Sequence, residues 1–113
     1  MTDKIVVLST SASVGEANRI ARELVEKRLA ACVNLVSGVR SVYRWKNEVE
    51  ESEEVLLVIK TSRALFDQVR VEIEKLHSYE RPEVIALQVV QGADQYLDWM
   101  SRELVKAPAG QPE

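Results

Sequence analysis

Three short segments of this chain are apolar at almost every consecutive position, and they constrain the fold more than any other feature. They span residues 5–8, 55–59 and 84–90. Each is far shorter than the roughly 20 residues that a membrane-spanning helix needs, and each is rich in β-branched side chains. We interpret them as strands. Because successive side chains of a strand point to opposite sides, a sheet built from these segments needs cover on both faces.

The rest of the chain supplies helices and one long hairpin. Apolar residues at three- and four-residue spacing predict an amphipathic helix over 14–29, and Ser13 with Glu16 matches a capping box at its start. Ser62 is placed to cap the second helix, and Gly38 marks a bulge. The predicted elements are strands at 4–10, 31–36, 39–45, 49–61 and 84–90, helices at 14–29, 62–77 and 94–105, and a tight turn at 46–48.

This order predicts an α+β, ferredoxin-like fold, β-α-β-β-α-β with a C-terminal helix. Such a fold has one antiparallel sheet with two helices on one face. We expect a single domain over residues 1–106 and a flexible tail over 107–113, which holds two prolines and a glycine. The last helix is small and is expected to cover only part of the second face. Either a second copy of the chain covers the remaining apolar area, or the central strands have apolar side chains on the side that the helices leave uncovered.

Composition narrows the function classes. The formal net charge is −3, so nothing indicates nucleic-acid binding, and no segment suits a membrane. A single cysteine excludes an intrachain disulfide and favours a cytoplasmic location; we expect Cys32 to pack as a small apolar residue. The sequence has no glycine-rich phosphate loop and no common hydrolase or zinc-protease motif. We therefore expect neither an enzyme nor an organic cofactor.

One candidate metal site surrounds His77, the only imidazole. Glu80 and Glu83 follow it closely, and an imidazole with carboxylate oxygens suits Cu(II) or another divalent cation. These three groups are at most a partial ligand set, so any binding is expected to be weak. The alternative is that His77 only ends the second helix, where its partial positive charge is favourable.

A second candidate site joins aromatic residues to a cation. Tyr43 and Trp45 share one side of a strand, Lys60 ends the neighbouring strand, and Tyr79 follows the histidine. Aromatic walls with one cation suit a small anion. Tyrosine and tryptophan are also enriched at subunit interfaces, so the same residues fit an oligomer contact equally well.

Five local sequences together resemble the CutA divalent-cation tolerance family. They are Leu-Ala-Ala-Cys-Val-Asn at 29–34, Ser-Val-Tyr-Arg-Trp at 41–45, Val-Ile-Lys-Thr at 58–61, His-Ser-Tyr-Glu-Arg-Pro-Glu at 77–83 and Tyr-Leu-Asp-Trp at 96–99. The resemblance extends from residue 5 to about residue 104. One departure is Ser78, which stands where the family usually has proline, and we expect it to loosen that corner.

The resemblance implies a ferredoxin-like protomer in a tight homotrimer, built like the PII-type signalling proteins, and a link to divalent-metal tolerance, copper most often. We therefore expect a non-enzymatic trimer that binds Cu(II) or another divalent cation weakly. Two alternatives stay open. One is a PII-like regulator that binds a small anion at a subunit interface near Lys60. The other is a trimeric scaffold that recruits protein partners.

Overall fold

The strands and helices follow one another in the order that the sequence predicts. The computed structural model describes residues 2–106, so the predicted tail at 107–113 lies outside the described residues. The elements are β1 (Lys4–Ser11), α1 (Val14–Glu26), β2 (Cys32–Trp45), β3 (Glu48–Ser62), α2 (Phe66–Leu76), β4 (Ile85–Gln88) and α3 (Asp94–Glu103), with a short 3-10 helix (Arg63–Leu65) before α2.

The four strands form one sheet in the order β2-β3-β1-β4, with every neighbouring pair antiparallel. This is the ferredoxin-like arrangement, so the predicted fold class is confirmed. Strands β1 and β3, which carry the apolar runs at 5–8 and 55–59, lie in the centre, and β2 and β4 form the edges. Strand β4 is shorter than predicted because its ladder with β1 covers only four residue pairs, from Ile5↔Gln88 to Leu8↔Ile85.

Helices α1 and α2 cover one face of the sheet, which we call the helix face. Alternate residues of β1 and β3 point into this layer and are buried, as the strand period requires. The core contains Ile5, Val7, Ala17, Ile20, Leu24, Val55, Leu57, Ile59, Val69 and Ile73. Between the helices, Lys27 Nζ lies 2.7 Å from Glu72 Oε2.

Helix α1 ends earlier than predicted, at Glu26 rather than at residue 29. Arg28 has a φ of 59°, in the left-handed region, so the helix cannot continue through it. The amide of Leu29 then donates to Leu24 O at 2.9 Å, which satisfies one of the last helical carbonyls. Leu29 remains buried, and this explains why the apolar pattern continues past the end of the helix.

The β2–β3 hairpin extends well past the sheet. A register shift between Val36 and Val39 marks the predicted bulge at Gly38, whose φ is 77°. The turn residues Lys46 and Asn47 have φ values of 51° and 68°, as a tight primed turn requires. We call residues 39–54 the arm. The partner β1 reaches only to the pair Ser11↔Val55, so the arm projects beyond it and most of its residues are exposed.

The other side of the sheet, which we call the outer face, is only partly covered. Helix α3 lies on it at one end, where Lys60 Nζ stands 5.8 Å from the ring centre of Tyr96. Met100 is the buried residue of α3. Beyond α3 the outer face stays apolar, with half-buried or exposed side chains at Val6, Leu8, Val36, Leu56, Val58, Ile85 and Leu87.

Candidate functional site

The buried side chain of His77 is the centre of a polar cluster between β1, α1 and the loop after α2. Its Nε2 lies 2.6 Å from Thr10 O, and its Nδ1 lies 3.0 Å from the Tyr79 amide nitrogen. A carbonyl oxygen only accepts and an amide N–H only donates. Nε2 therefore carries the proton and Nδ1 accepts. Both ring nitrogens are therefore engaged in this geometry, and the Glu16 carboxylate lies 3.7 Å from Nδ1.

Glu16 is the carboxylate of this cluster. Its Oε1 accepts from Ser11 Oγ at 2.7 Å, and its Oε2 accepts from the Ser78 amide at 3.0 Å. Burial raises the Glu16 pKa, but the hydrogen bonds from Ser11 and Ser78 outweigh it, so the pKa lies below its ordinary value. The capping box is half formed: Ser13 Oγ accepts from the Glu16 amide at 3.1 Å, while the carboxylate turns to Ser11 and Ser78.

Ser78 ties the loop to α1. Its N–H is the donor to Glu16 Oε2, and proline has no N–H. The sequence predicts that serine loosens this corner relative to proline. The structure indicates the opposite effect, because the serine amide adds a hydrogen bond to a buried carboxylate that a proline could not make. We call Thr10, Ser11, Glu16, His77, Ser78 and Tyr79 the histidine corner.

The histidine corner is linked to the arm. The Tyr79 hydroxyl donates to Glu54 Oε2 at 2.7 Å, and Glu54 is buried at the base of the arm. Burial and the bond to this carboxylate raise the pKa of Tyr79, which stays protonated. Two residues on, the Arg81 guanidinium carbon stands 5.9 Å from the Trp45 ring centre. The loop after α2 therefore holds the arm at its base and near its tip.

The predicted metal ligands are not assembled into a site in this conformation. His77 has no free nitrogen, and Glu80 and Glu83 are exposed. Over residues 2–106, no group of three or more histidine, cysteine, aspartate or glutamate side chains could hold a metal ion. A metal at Nδ1 would have to displace the Tyr79 amide. Metal binding by His77, Glu80 and Glu83 stays a prediction that requires the corner to open.

Two of the four predicted pocket residues share one side of the arm. Tyr43 and Trp45 lie on that side, Tyr79 bonds Glu54 at the base of the arm, and Arg81 of the same loop faces Trp45 near the tip. Lys60 is not part of this group, because it pairs with Cys32 and Val6 at the far end of β3. Two cations stand beside Trp45 instead, Arg81 and Lys46, each 5.9 Å from its ring centre, and the sequence pattern singles out neither.

Sequence reasoning also misses the burial of the two acids that the histidine corner contacts, Glu54 and Glu16. Glu54 belongs to an acidic stretch of the hairpin that is expected to face solvent. Because side chains alternate along a strand, however, Glu54 points to the same side of β3 as Leu56 and Val58. Glu16 is predicted only to cap a helix. Cys32, expected to pack as a small apolar residue, is half-buried on the outer face opposite Lys60, and it does not belong to the helix-face core.

Comparisons with known proteins agree on one family. The family model described as CutA1 divalent ion tolerance protein matches residues 5–103. The "Divalent-cation tolerance protein CutA" of Thermus thermophilus is 47% identical over 95 residues, covering 84% of this chain and 92% of that protein. The human "Protein CutA" is 50% identical over 84 residues, covering 74% of this chain but only 47% of the human protein.

Solved structures give the same result. The Thermus thermophilus divalent cation tolerance protein superposes with a TM-score of 0.88 at 44% identity, covering 90% of this chain and 99% of that one. CutA from Xylella fastidiosa gives 0.90 at 38% identity, covering 92% and 100%. Within residues 2–106, no helix has the length and apolar character needed to cross a bilayer. The chain belongs to the CutA1 divalent ion tolerance protein family.

Proposed function

We propose that this protein acts in divalent-cation tolerance as a homotrimer without enzymatic activity, and that it binds copper or another divalent cation only weakly. We place it in the cytoplasm because it has a single cysteine. The family membership supports the link to divalent cations. The observation that supports the proposed homotrimer is the apolar outer face of the sheet.

The outer face has more apolar surface than a lone protomer of this kind usually leaves uncovered. Ile85 and Leu87 on the edge strand β4 keep 51% and 52% of their surface exposed, and Val36 on the opposite edge keeps 45%. Between them lie the half-buried Leu56 and Val58. Contiguous apolar patches of this kind mark interaction surfaces. A second copy of the chain carries the same surface, so closed symmetric assembly would bury it.

The histidine corner supports weak metal binding over tight binding. A metal at Nδ1 of His77 would break the 3.0 Å hydrogen bond from the Tyr79 amide, which leaves that amide without its acceptor. An unsatisfied buried donor costs roughly 1–3 kcal/mol, and this cost is subtracted from the affinity for the metal. The carboxylates of Glu80 and Glu83 are exposed, so they would join as oxygen ligands without breaking a buried hydrogen bond.

The assembly is tested by the solution mass. Light scattering of the purified protein at micromolar concentration should give three times the chain mass of 12.8 kDa. A folded monomer under the same conditions would refute the proposed trimer.

The metal part is tested by titrating the trimer with Cu(II) at pH 7.5. We expect a weak isotherm that is lost in His77→Ala and weakened in Glu83→Gln, with Glu26→Gln, an exposed residue of α1, as the matched control. Circular dichroism and mass must show that each variant is still folded and trimeric. Identical isotherms for the wild type and His77→Ala would remove His77 from any metal role.

A further inference from the structure

A cleft of about 390 Å³ lies on the helix face, between the start of α2 and the edge strand β4. Ala86 and Gln88 point to this face, because Ala86 pairs with the buried Val7, yet α2 leaves both exposed. Ile5, Phe66 and Ala86 supply an apolar lining. The volume is within the range of small-molecule sites, and the lining suits the apolar part of a ligand.

Opposite charges and one amide line the same cleft. Arg63 precedes α2 and Asp67 lies in its first turn, four residues later. In residues 2–106, no carboxylate oxygen lies within 4.0 Å of the Arg63 guanidinium, and Asp67 has only Arg70, at 3.9 Å. Gln88 Nε2 donates to Thr2 O at 3.1 Å, which fixes the amide and leaves its oxygen as an acceptor.

We propose that this cleft binds a free apolar α-amino acid. The guanidinium of Arg63 suits the ligand carboxylate, because the two planar groups match in geometry. The Asp67 carboxylate and the Gln88 oxygen suit the ammonium group, which only donates. The apolar side chain of the ligand packs on Phe66 and Ala86. A ligand with only one of the two charges leaves either Arg63 or Asp67 without its partner.

The site is compatible with the proposed assembly but does not depend on it. The cleft lies on the helix face, whereas the apolar residues Ile85 and Leu87 of the same strand point to the outer face. Oligomer contacts through the outer face therefore leave the cleft open. Loss of amino-acid binding and loss of the trimer are separate results, and the solution mass distinguishes them.

The experiment is a titration of the full-length protein with L-leucine, followed by amide chemical shifts and calorimetry. Two matched analogues are 4-methylpentanoic acid, which lacks the ammonium group, and 3-methylbutylamine, which lacks the carboxylate. We expect leucine to give saturable shifts at residues around Ala86 and Gln88 and to bind about two- to fivefold more tightly than either analogue, because Arg63 and Asp67 are exposed and water screens their charges.

Variants locate the site. Arg63→Gln and Asp67→Asn should each weaken leucine binding by about two- to fivefold, the size expected for a charge contact at an exposed position. Ala86→Leu, which fills the apolar lining, should abolish it. Arg22→Gln, the same change at an exposed position of α1, should have no effect. The proposal is overturned if leucine gives no saturable shift, if an analogue binds as well as leucine, or if Arg63→Gln behaves like Arg22→Gln.

Discussion

The Tyr79 hydroxyl donates a 2.7 Å hydrogen bond to Glu54 Oε2, and this bond joins the loop after α2 to the base of the arm. Glu54 is only 7% exposed, so water reaches its carboxylate poorly, and the Tyr79 hydroxyl supplies much of the hydrogen bonding that a buried carboxylate needs. The same loop carries His77, whose ring is bonded to β1. The Tyr79 side chain therefore couples the arm to the histidine corner, and Arg81 of the same loop adds a second contact at Trp45.

Tyr79→Phe should destabilise the protein by about 1.5–3 kcal/mol, because the substitution leaves the buried Glu54 carboxylate without its hydroxyl donor. The free energy of unfolding in urea, measured at fixed protein concentration and pH 7, is the appropriate readout. Tyr43→Phe is the matched control: Tyr43 is exposed and its hydroxyl makes only a 3.4 Å contact with Ser52. Equal stabilities for the two variants would show that the Tyr79–Glu54 bond contributes nothing.

Ser78→Pro should destabilise the protein by about 1 kcal/mol. Proline removes the N–H that donates to Glu16, a loss of about 1.5–3 kcal/mol for a bond to a charged group. Proline also restricts the unfolded chain, which returns about 0.4–1 kcal/mol. The loss of the bond therefore outweighs the gain from the stiffer unfolded chain. Ser78→Ala keeps the N–H and removes only the hydroxyl, which also lowers the Glu16 pKa, so it should cost less stability than Ser78→Pro. A Ser78→Pro variant more stable than Ser78→Ala in urea would contradict this account.

Glu16 should make stability depend on pH in the acid range. Its folded pKa is lowered from the ordinary value of 4.5, so the ionised form contributes stability that is fully present above that pH. The contribution is lost as the pH falls below 4.5 and through the folded pKa. Thermal unfolding between pH 6 and pH 3 should therefore show the stability gap between the wild type and Glu16→Gln narrowing as acid is added. A gap that is constant across this range would mean that Glu16 does not titrate with unfolding.

Leu87→Lys should prevent the proposed oligomerisation, because it places a charge among the exposed apolar residues at the β4 edge of the outer face. Val71→Lys is the matched control, since Val71 lies on α2 and is 51% exposed against 52% for Leu87. Both substitutions cost little in a monomer, as changes at exposed positions usually do. Light scattering should give a lower mass for Leu87→Lys alone. The same mass for both variants would exclude the outer face as the contact.

Much of the fold follows from local patterns. The apolar runs at residues 5–8 and 55–59 predict two strands buried on both sides, and these are the central strands β1 and β3. The predicted end of α1 is wrong by three residues, because Leu29 is buried whether it is helical or not. The spacing of apolar residues indicates which positions are buried, but it does not indicate where a helix ends. The left-handed Arg28 that ends the helix leaves no mark in the apolar pattern.

The candidate sites are less predictable because they depend on where separate segments meet. Tyr43 and Trp45 are grouped correctly by strand parity, a local property. Lys60 joins them in the prediction because the hairpin partner strand ends there, but its ammonium lies over Tyr96 of α3. The role of Glu16 depends on Ser78, which is 62 residues away in the sequence. No rule of sequence spacing predicts a contact between residues so far apart in the chain.

The topology of the sheet also sets an order for folding. The β2–β3 hairpin joins neighbours in sequence through a turn at Lys46 and Asn47, so its closure needs only a short loop. Strand β4 pairs with β1 across most of the chain, from Ile5 to Gln88, and over only four residue pairs. Contacts that close such long loops form late and slowly. β4 should therefore dock last, and a nascent chain would keep Ile85 and Leu87 unpaired until the remainder of the sheet is in place.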